Sequence, residues 1–358
     1  MMQQDPASAR PTVSVIVPAR NEEVCLGTCL QSLVDQSGIH FEIIVVDDGS
    51  TDRTRQIAES FAGVQIISPP PLPQKWTGKN NALIAATKIA CGEWLLFTDA
   101  DTVHLPGSLA HALTEAKQQG VALLSYSPEQ EVHGFWEKAV MPVIFAELAT
   151  QHKPAQVSDS GALAAAANGQ YILVSRRTYD AVGGHAAIAS NLLEDVALAR
   201  AVKASGAKIY FRYGGDAVRT RMYRSFMQLR EGWTKNLILL FPAPTRLALV
   251  RSLEFSLIIF GALLTFALGV SERSRLALLA AALVAILYGV FLKRILKAHF
   301  PVEANILALF GLPLFSYLIL RSKAAHARGW VSWKGRNYDS TALVSQHELS
   351  EPLATASL

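Results

Sequence analysis

Cysteine is scarce in this chain, with three residues in 358: Cys25, Cys29 and Cys91. So few thiols exclude a disulfide framework and a cysteine-built metal centre. Cys25 and Cys29 have helical spacing and are expected to be packed, reduced thiols of a cytosolic domain. Charge is scarce too, at 17% of residues against 51% hydrophobic. The formal net charge of +4 is modest and gathers near the hydrophobic segments, which points to an anionic membrane surface and away from nucleic acid. Met1 to Pro11 is polar and lacks an apolar signal core, so the first domain is expected to stay in the cytoplasm.

Alternation of apolar runs with helical stretches dominates the first two thirds. Val13-Ser14-Val15-Ile16-Val17-Pro18 reads as a strand, followed by the polar loop Ala19 to Glu23 and a helix over Val24–Gln36. Phe41 to Val46 reads as a second strand, ending in Asp47-Asp48-Gly49-Ser50-Thr51-Asp52, where Ser50 or Thr51 can cap the next helix. A third strand, Val64 to Ile67, stops at Pro69-Pro70-Pro71-Leu72-Pro73, and a helix over Asn80–Ala90 leads to Trp94-Leu95-Leu96-Phe97-Thr98-Asp99-Ala100-Asp101. The pattern predicts an α/β fold with a mostly parallel sheet and flanking helices.

In such sheets ligands gather at the carboxyl ends of the strands, where Asp47, Asp48, Asp99 and Asp101 fall. Asp99 and Asp101 form a hard, oxygen-rich pair suited to Mg²⁺ or Mn²⁺ carrying a diphosphate. Neither carboxylate loop contains G-x-G-x-x-G or G-x-x-x-x-G-K-[ST], which argues against a dinucleotide fold or P-loop. Lys79, just ahead of a helix N-terminus, is placed to meet phosphate. Glu194-Asp195 opens an apolar helix, where negative charge also serves capping.

The motifs Val15-Ile16-Val17-Pro18-Ala19-Arg20-Asn21-Glu22, Val45-Val46-Asp47-Asp48-Gly49-Ser50-Thr51-Asp52 and Asp99-Ala100-Asp101, in that order, resemble the opening of a family 2 glycosyltransferase with the GT-A fold. The match runs from about residue 12 to 240. The resemblance implies a nucleotide-sugar donor, UDP-linked, with Asp48 near the nucleobase, Asp99 near the ribose and Asp101 on the metal. It places the first loop, from Pro18 through Arg20 and Glu22, close to the nucleotide. It also makes Asp195 the catalytic base and gives Glu194 the task of orienting the acceptor or the base.

On the acceptor side, Phe135 to Phe145 reads either as a membrane-interface segment or as a core helix interrupted at Pro142. Gly183-Gly184-His185 reads as a flexible turn, either a plain loop or one permitting close approach to a sugar. Processive members carry Gln-x-x-Arg-Trp near residue 230. Here Leu229 and Gly232 replace the first two positions and only Trp233 matches, which disfavours a polymerising synthase. Trp233 is expected to stack on an acceptor, with Arg230 or Lys235 facing the leaving diphosphate; the alternative is an interfacial helix without catalytic duty.

Leu253–Val270 and Leu276–Leu292 are each expected to cross a membrane, joined by the short link Ser271 to Arg275. Lys293, Arg294 and Lys297 then mark the cytoplasmic side. Val302–Leu320 reads either as a third span, which carries the basic tail of 321–358 to the other side, or, the favoured reading, as a re-entrant or interfacial pair of helices bent at Gly311-Leu312-Pro313, which keeps that tail inside. Trp330 to Tyr338 is similar to a segment that follows the membrane helices in lipid glycosyltransferases of the family, implying Lys334 or Arg336 near phosphate. Residues beyond about 340 are expected to be disordered.

The expected whole is a flexible 1–11, a catalytic domain over 12–240, a membrane region over 247–320 and a tail. It resembles hopanoid- and carotenoid-associated bacterial enzymes. The resemblance implies an inverting, multi-pass inner-membrane enzyme with a cytoplasmic catalytic domain, moving one sugar from a nucleotide-sugar donor to a lipid acceptor. A polysaccharide synthase subunit and a non-catalytic nucleotide-binding membrane partner are the alternatives.

Overall fold

The computed structural model describes residues 10–270 and 274–339. Most of the expected flexible N-terminus, residues 271–273 of the inter-helix link, and the tail from residue 340 lie outside the described residues. The chain forms two compact units, Met1–Glu131 with His152–Met222, and Val132–Gln151 with Tyr223–Leu358. The first unit therefore ends ahead of residue 240, and the segment from Phe135 joins the second.

The elements follow in the order β1 (Val13–Ala19), α1 (Leu26–Val34), β2 (Phe41–Asp47), α2 (Thr54–Glu59), β3 (Val64–Ile67), α3 (Gly78–Thr87), β4 (Trp94–Phe97) and β5 (Thr102–His104). Next come α4 (Ser108–Gln119), β6 (Leu123–Ser127), β7 (Glu129–Gln130) and α5 (Phe135–Gln151), the last in the second unit. The first unit resumes with α6 (Pro154–Ser158), β8 (Ile172–Ser175), α7 (Arg176–Ala181), α8 (Gly184–Ala187), α9 (Glu194–Ala204), β9 (Ile209–Tyr213) and β10 (Val218–Thr220).

Its main sheet has seven strands in the order β3-β2-β1-β4-β8-β6-β9. Every pairing is parallel except those of β8, which runs antiparallel to β4 and β6. Val13, Val15 and Val17 face one core with Leu26, Leu30, Leu33 and Leu96. Ile16, Ile44, Val46, Leu95 and Phe97 face a second core with Leu83 and Leu198. Burial on both faces is why these strands read as unbroken apolar runs. Strand order reverses between β1 and β4, which opens a crevice at their carboxyl ends. A small sheet, β5-β10-β7, lies beyond that end of β4.

The second unit adds α10 (Phe226–Leu240), α11 (Pro244–Val270), α12 (Ser274–Ile295), α13 (Val302–Ala327) and the hairpin β11 (Trp330–Trp333) and β12 (Arg336–Asp339). Lys334 and Gly335, both at positive φ, make the two-residue hairpin turn. Three of its helices are long and apolar enough to cross a membrane: Pro244–Gly269, Arg275–Ala298 and Val302–Ala327. The first two show large apolar side chains outward, Phe260, Phe266, Leu279 and Ile286 among them.

Two expectations for this unit are corrected. α5 runs through Pro142, and α13 runs as one 26-residue helix through Gly311-Leu312-Pro313 with no break. Gly311 is the reason the two helices meet so closely: a Cβ there would lie 1.9 Å from the Ala139 carbonyl oxygen. Its glycine serves contact between helices rather than a bend. Gly311→Ala is expected to destabilise the full-length protein in detergent by about 1–3 kcal/mol through overpacking. Gly289→Ala, where a Cβ meets nothing within 4 Å, is the control; equal melting temperatures for the two variants would contradict the packing role.

A closed ring of four charges lies among α5, α11 and α12. Arg251 Nε and Arg294 Nε approach Glu147 Oε1 at 2.8 and 3.3 Å. The same arginines reach Glu254 Oε2 at 3.0 and 2.8 Å. Each side chain is at most 16% exposed.

Candidate active site

The loops after β1 and β2 are stitched together before either meets a ligand. Asp48 N–H donates to Ala19 O at 2.9 Å, and Arg20 Nη1 donates to the carbonyls of Asp48 and Gly49. Asn21, at positive φ, accepts from Thr51 N–H at 2.9 Å, while Glu22 N–H donates to Thr54 Oγ1 at 2.7 Å. Pro18, next to last in β1, is half-buried, and Asp48 is buried just after β2. Arg20 thus clamps the Asp48 loop by its carbonyls.

The next loop leaves β4 as Thr98 N–H donates to Ile16 O, and it turns back when Thr102 N–H donates to Asp99 O. This puts Asp99 and Asp101 beside the β1 loop. Cys29 Sγ, on α1, lies 3.7 Å from Asp99 O. Burial pushes the Cys29 thiol well up, helped by Asp101 and Asp99, so it stays a packed, protonated group.

Lys79 occupies the first turn of α3, whose N-cap Thr77 accepts from Asn80 N–H. Asn80 anchors that turn by donating to the carbonyls of Ile188, Ala189 and Asn191. The segment leading into α9 is thereby drawn to the start of α3. Lys79 Nζ sits 2.7 Å from Asp99 Oδ1 and 2.6 Å from Glu194 Oε1, bridging two carboxylates that lie far apart in sequence. Burial works against the ammonium, but Asp99 and Glu194 outweigh it and hold its pKa above the ordinary lysine value.

Asp195 lies beside this bridge. Its Oδ2 accepts from Gly169 N–H at 3.0 Å and its Oδ1 from Val196 N–H at 2.8 Å. Burial and then the Glu194 charge push its pKa up to about 6, against Lys79 and the two N–H groups, which pull it down. Gly169 is confined: a Cβ would stand 3.1 Å from Lys79 Nζ and 3.3 Å from Glu194 Oε1. Asp99, Lys79, Glu194 and Asp195 are therefore brought together in the first unit, with Lys79 paired to a carboxylate from the β4 loop and to one from the start of α9.

Other expected residues are placed differently. Gly183-Gly184-His185 is no flexible turn, because His185 enters the short helix α8 and is 1% exposed. Tyr179 Oη lies 2.9 Å from His185 Nδ1 and accepts from the His185 main-chain N–H at 3.0 Å, and the imidazole packs edge-on against Phe97. Burial pushes its pKa down to about 4, so it is a neutral core group. Trp233, 2% exposed, belongs to the second unit; its indole N–H points to Met141 Sδ at 3.4 Å and its ring abuts Phe145 and Tyr223. Both faces are covered, so it packs the unit rather than offering a stacking platform. Gly232 is explained by the same cluster, since a Cβ would come within 2.5 Å of Tyr223 Oη.

Lys235 Nζ lies 5.1 Å from the Trp333 ring centre and Lys334 Nζ 5.9 Å, while Arg230 and Arg336 are half-buried; all four belong to the second unit.

Among the described residues no group of three or more His, Cys, Asp or Glu side chains is gathered to hold a metal ion. Two carboxylates are nevertheless a fitting donor set for Mg²⁺, which keeps its waters and takes substrate phosphate oxygens as further ligands.

Comparison with known proteins bears on this arrangement. Residues 14–174 match the family model described as Glycosyl transferase family 2. The chain is 28% identical over 335 residues to the 4,4'-diaponeurosporenoate glycosyltransferase of Staphylococcus aureus strain USA300, covering 91% of this chain and 88% of that one. The protein of the same name from strain MRSA252 is 31% identical over 228 residues, covering 63% and 60%. Among solved structures, a mannosyltransferase from Pyrobaculum calidifontis in complex with GDP-Man and Mn²⁺ superposes with a TM-score of 0.52 at 18% identity, over 88% of this chain and 87% of that one. The motif-bearing loops at the carboxyl ends of β1, β2 and β4 fall within residues 14–174, the stretch that matches the family 2 glycosyltransferase model, and the fold is of the GT-A type.

Proposed function

We propose that the protein moves a single sugar from a nucleotide-diphosphate sugar, UDP-linked by the reading of its motifs, to a lipid acceptor with inversion at the anomeric carbon. The observation that carries this is the Lys79 bridge between Asp99 and Glu194, with Asp195 fixed beside it. Asp48 and Asp99 then meet the nucleoside, and Lys79 is the cation nearest the departing diphosphate. Asp195 takes the acceptor's proton as the new glycosidic bond forms, and Glu194 keeps Lys79 and the acceptor in register. A raised pKa makes Asp195 a stronger base than an exposed carboxylate while leaving it ionised at neutral pH.

Asp101, with Asp99, would hold Mg²⁺ or Mn²⁺, whose charge offsets that of the leaving diphosphate. The Staphylococcus relative, named for a carotenoid-type acceptor, supports a polyisoprenoid-derived lipid. The exposed apolar flanks of α11 and α12 support a pair of membrane crossings, and Lys293 near the end of α12 with Lys297 just beyond it supports a cytoplasmic catalytic unit in the inner membrane. Arg230, Lys235, Lys334 and Arg336 remain candidates for the acceptor side.

The test is a screen of nucleotide-sugars against membrane lipid extracts, following nucleotide diphosphate release with and without chelator. Release is expected only with lipid and divalent metal, and Asp101→Asn is expected to lower it by about 100-fold or more. Transfer that survives chelation and Asp101→Asn alike would defeat the metal assignment; a ladder of oligomeric products would favour a polysaccharide synthase.

A further inference from the structure

Beneath the site runs a buried polar chain that the mechanism has not used. Thr220 Oγ1, on β10, donates to the main-chain carbonyl of Asp101 at 3.2 Å and accepts from Gln170 Nε2 at 3.2 Å. Gln170 follows Gly169, the residue whose N–H holds Asp195. Its own main-chain carbonyl accepts from Thr98 Oγ1 at 2.8 Å, at the entry to the Asp99 loop. Its Oε1 accepts from Gln130 Nε2 at 3.2 Å, and its N–H donates to Asn168 Oδ1 at 3.0 Å. His104 completes the chain: with the Thr98 hydroxyl proton committed to Gln170, the imidazole Nε2–H donates to Thr98 Oγ1 at 3.1 Å. Thr98, His104, Gln130, Gln170 and Thr220 are all buried.

We propose that Gln170 and Thr220 are positioning residues that fix the Asp99–Asp101 loop and Asp195 in one frame, so that donor and base keep their separation as the reaction proceeds. The inference rests on the functional reading above. It goes beyond that reading because neither residue touches the reacting groups: two side chains join the main chain of Asp101 to the main chain that anchors Asp195. Such a chain is sensitive for two reasons. Each member is cut off from water, so a lost partner leaves its neighbour unsatisfied. Catalytic groups also tolerate displacement of only about half an ångström before the rate suffers. A glutamine suits position 170 because its amide both donates to Thr220 and accepts from Gln130, which no hydroxyl or carboxylate at that length does.

The test uses Thr220→Val, which keeps the shape and removes the hydroxyl, Thr220→Ser, which keeps the hydroxyl, and Gln170→Leu. Hydrogen–deuterium exchange of the full chain in detergent is read over Thr98–Thr102 and Asn168–Tyr171, with β1 and β2 as internal standards. Both segments are expected to exchange faster in Thr220→Val and Gln170→Leu while the standards hold. Turnover is expected to fall by about 10- to 100-fold, by analogy with residues that support metal ligands, with donor and acceptor KM little changed. Thr220→Ser is expected to restore both.

Unchanged exchange in Thr220→Val, or a Thr220→Ser protein as impaired as the valine variant, overturns the proposal. The exchange experiment decides it even if the wild-type protein transfers no sugar, a result that would instead strike the functional reading.

Discussion

Asp195→Asn is expected to lower turnover by about 10²- to 10⁴-fold, the usual contribution of a positioned general base. Asparagine retains an oxygen for the Gly169 N–H but has no lone pair basic enough for an acceptor proton. Donor affinity, measured by the protection that nucleotide and Mn²⁺ give against thermal unfolding, should survive.

The pH dependence has a definite sign. The base works only when ionised, so turnover should rise with pH, half-developed near the raised value of about 6, and level off above it. Glu194→Gln removes the neighbouring charge that helps raise Asp195, so the rise should move to lower pH. Full turnover in Asp195→Asn would sink its role as the base and point to an acceptor that arrives ionised. That outcome is chemically specific: a carboxylate acceptor has already lost its proton, whereas a hydroxyl acceptor has not.

Glu147→Ala is expected to destabilise the protein by about 3–5 kcal/mol, the cost of leaving buried charge uncompensated. Glu147 is a carboxylate that both arginine Nε groups approach, and it comes from α5 while its partners come from α11 and α12. Its loss leaves Arg251 and Arg294 sharing Glu254 alone. Replacing all four members by apolar residues of like size should be far less damaging, since no lone charge then remains. Thermal midpoints of the full chain in one detergent measure both. A Glu147→Ala midpoint equal to wild type would mean that the ring is solvated.

The sequence was most legible where burial is simplest. The runs at Val13 and Phe41 became β1 and β2 because strands covered on both faces favour apolar residues on either side, and Val64 to Ile67 pairs with β2 as the partly buried edge strand β3. Asp99 and Asp101 were placed by the same logic, as polar residues directly after such a run. Asp195 at the start of α9 was found only through resemblance to a family, since capping explains an acid there equally well.

What the sequence hid was pairing over distance. Lys79 read as a phosphate ligand, and nothing local announced Glu194 as its partner. Trp233 and His185 read as site residues because type and neighbourhood carry no measure of burial. Pro313 read as a break because its cost to an isolated helix is clear, whereas the support of α5 at Gly311 is visible only in three dimensions. One signal was available: acidic residues such as Glu147 and Glu254 in apolar helices ask for partners.

The charge ring bears on the membrane as well as on the protein. On α11 the uncharged stretch left beyond Glu254 spans about 22 Å, and on α12 the stretch before Lys293 spans about 25 Å at the usual rise per residue. A typical hydrocarbon layer measures about 30 Å. If the two helices cross as proposed, the leaflet next to them has to dip toward the ring. A long apolar substrate lying along that pair would then meet its first polar surroundings several ångströms deeper than it does in the open bilayer.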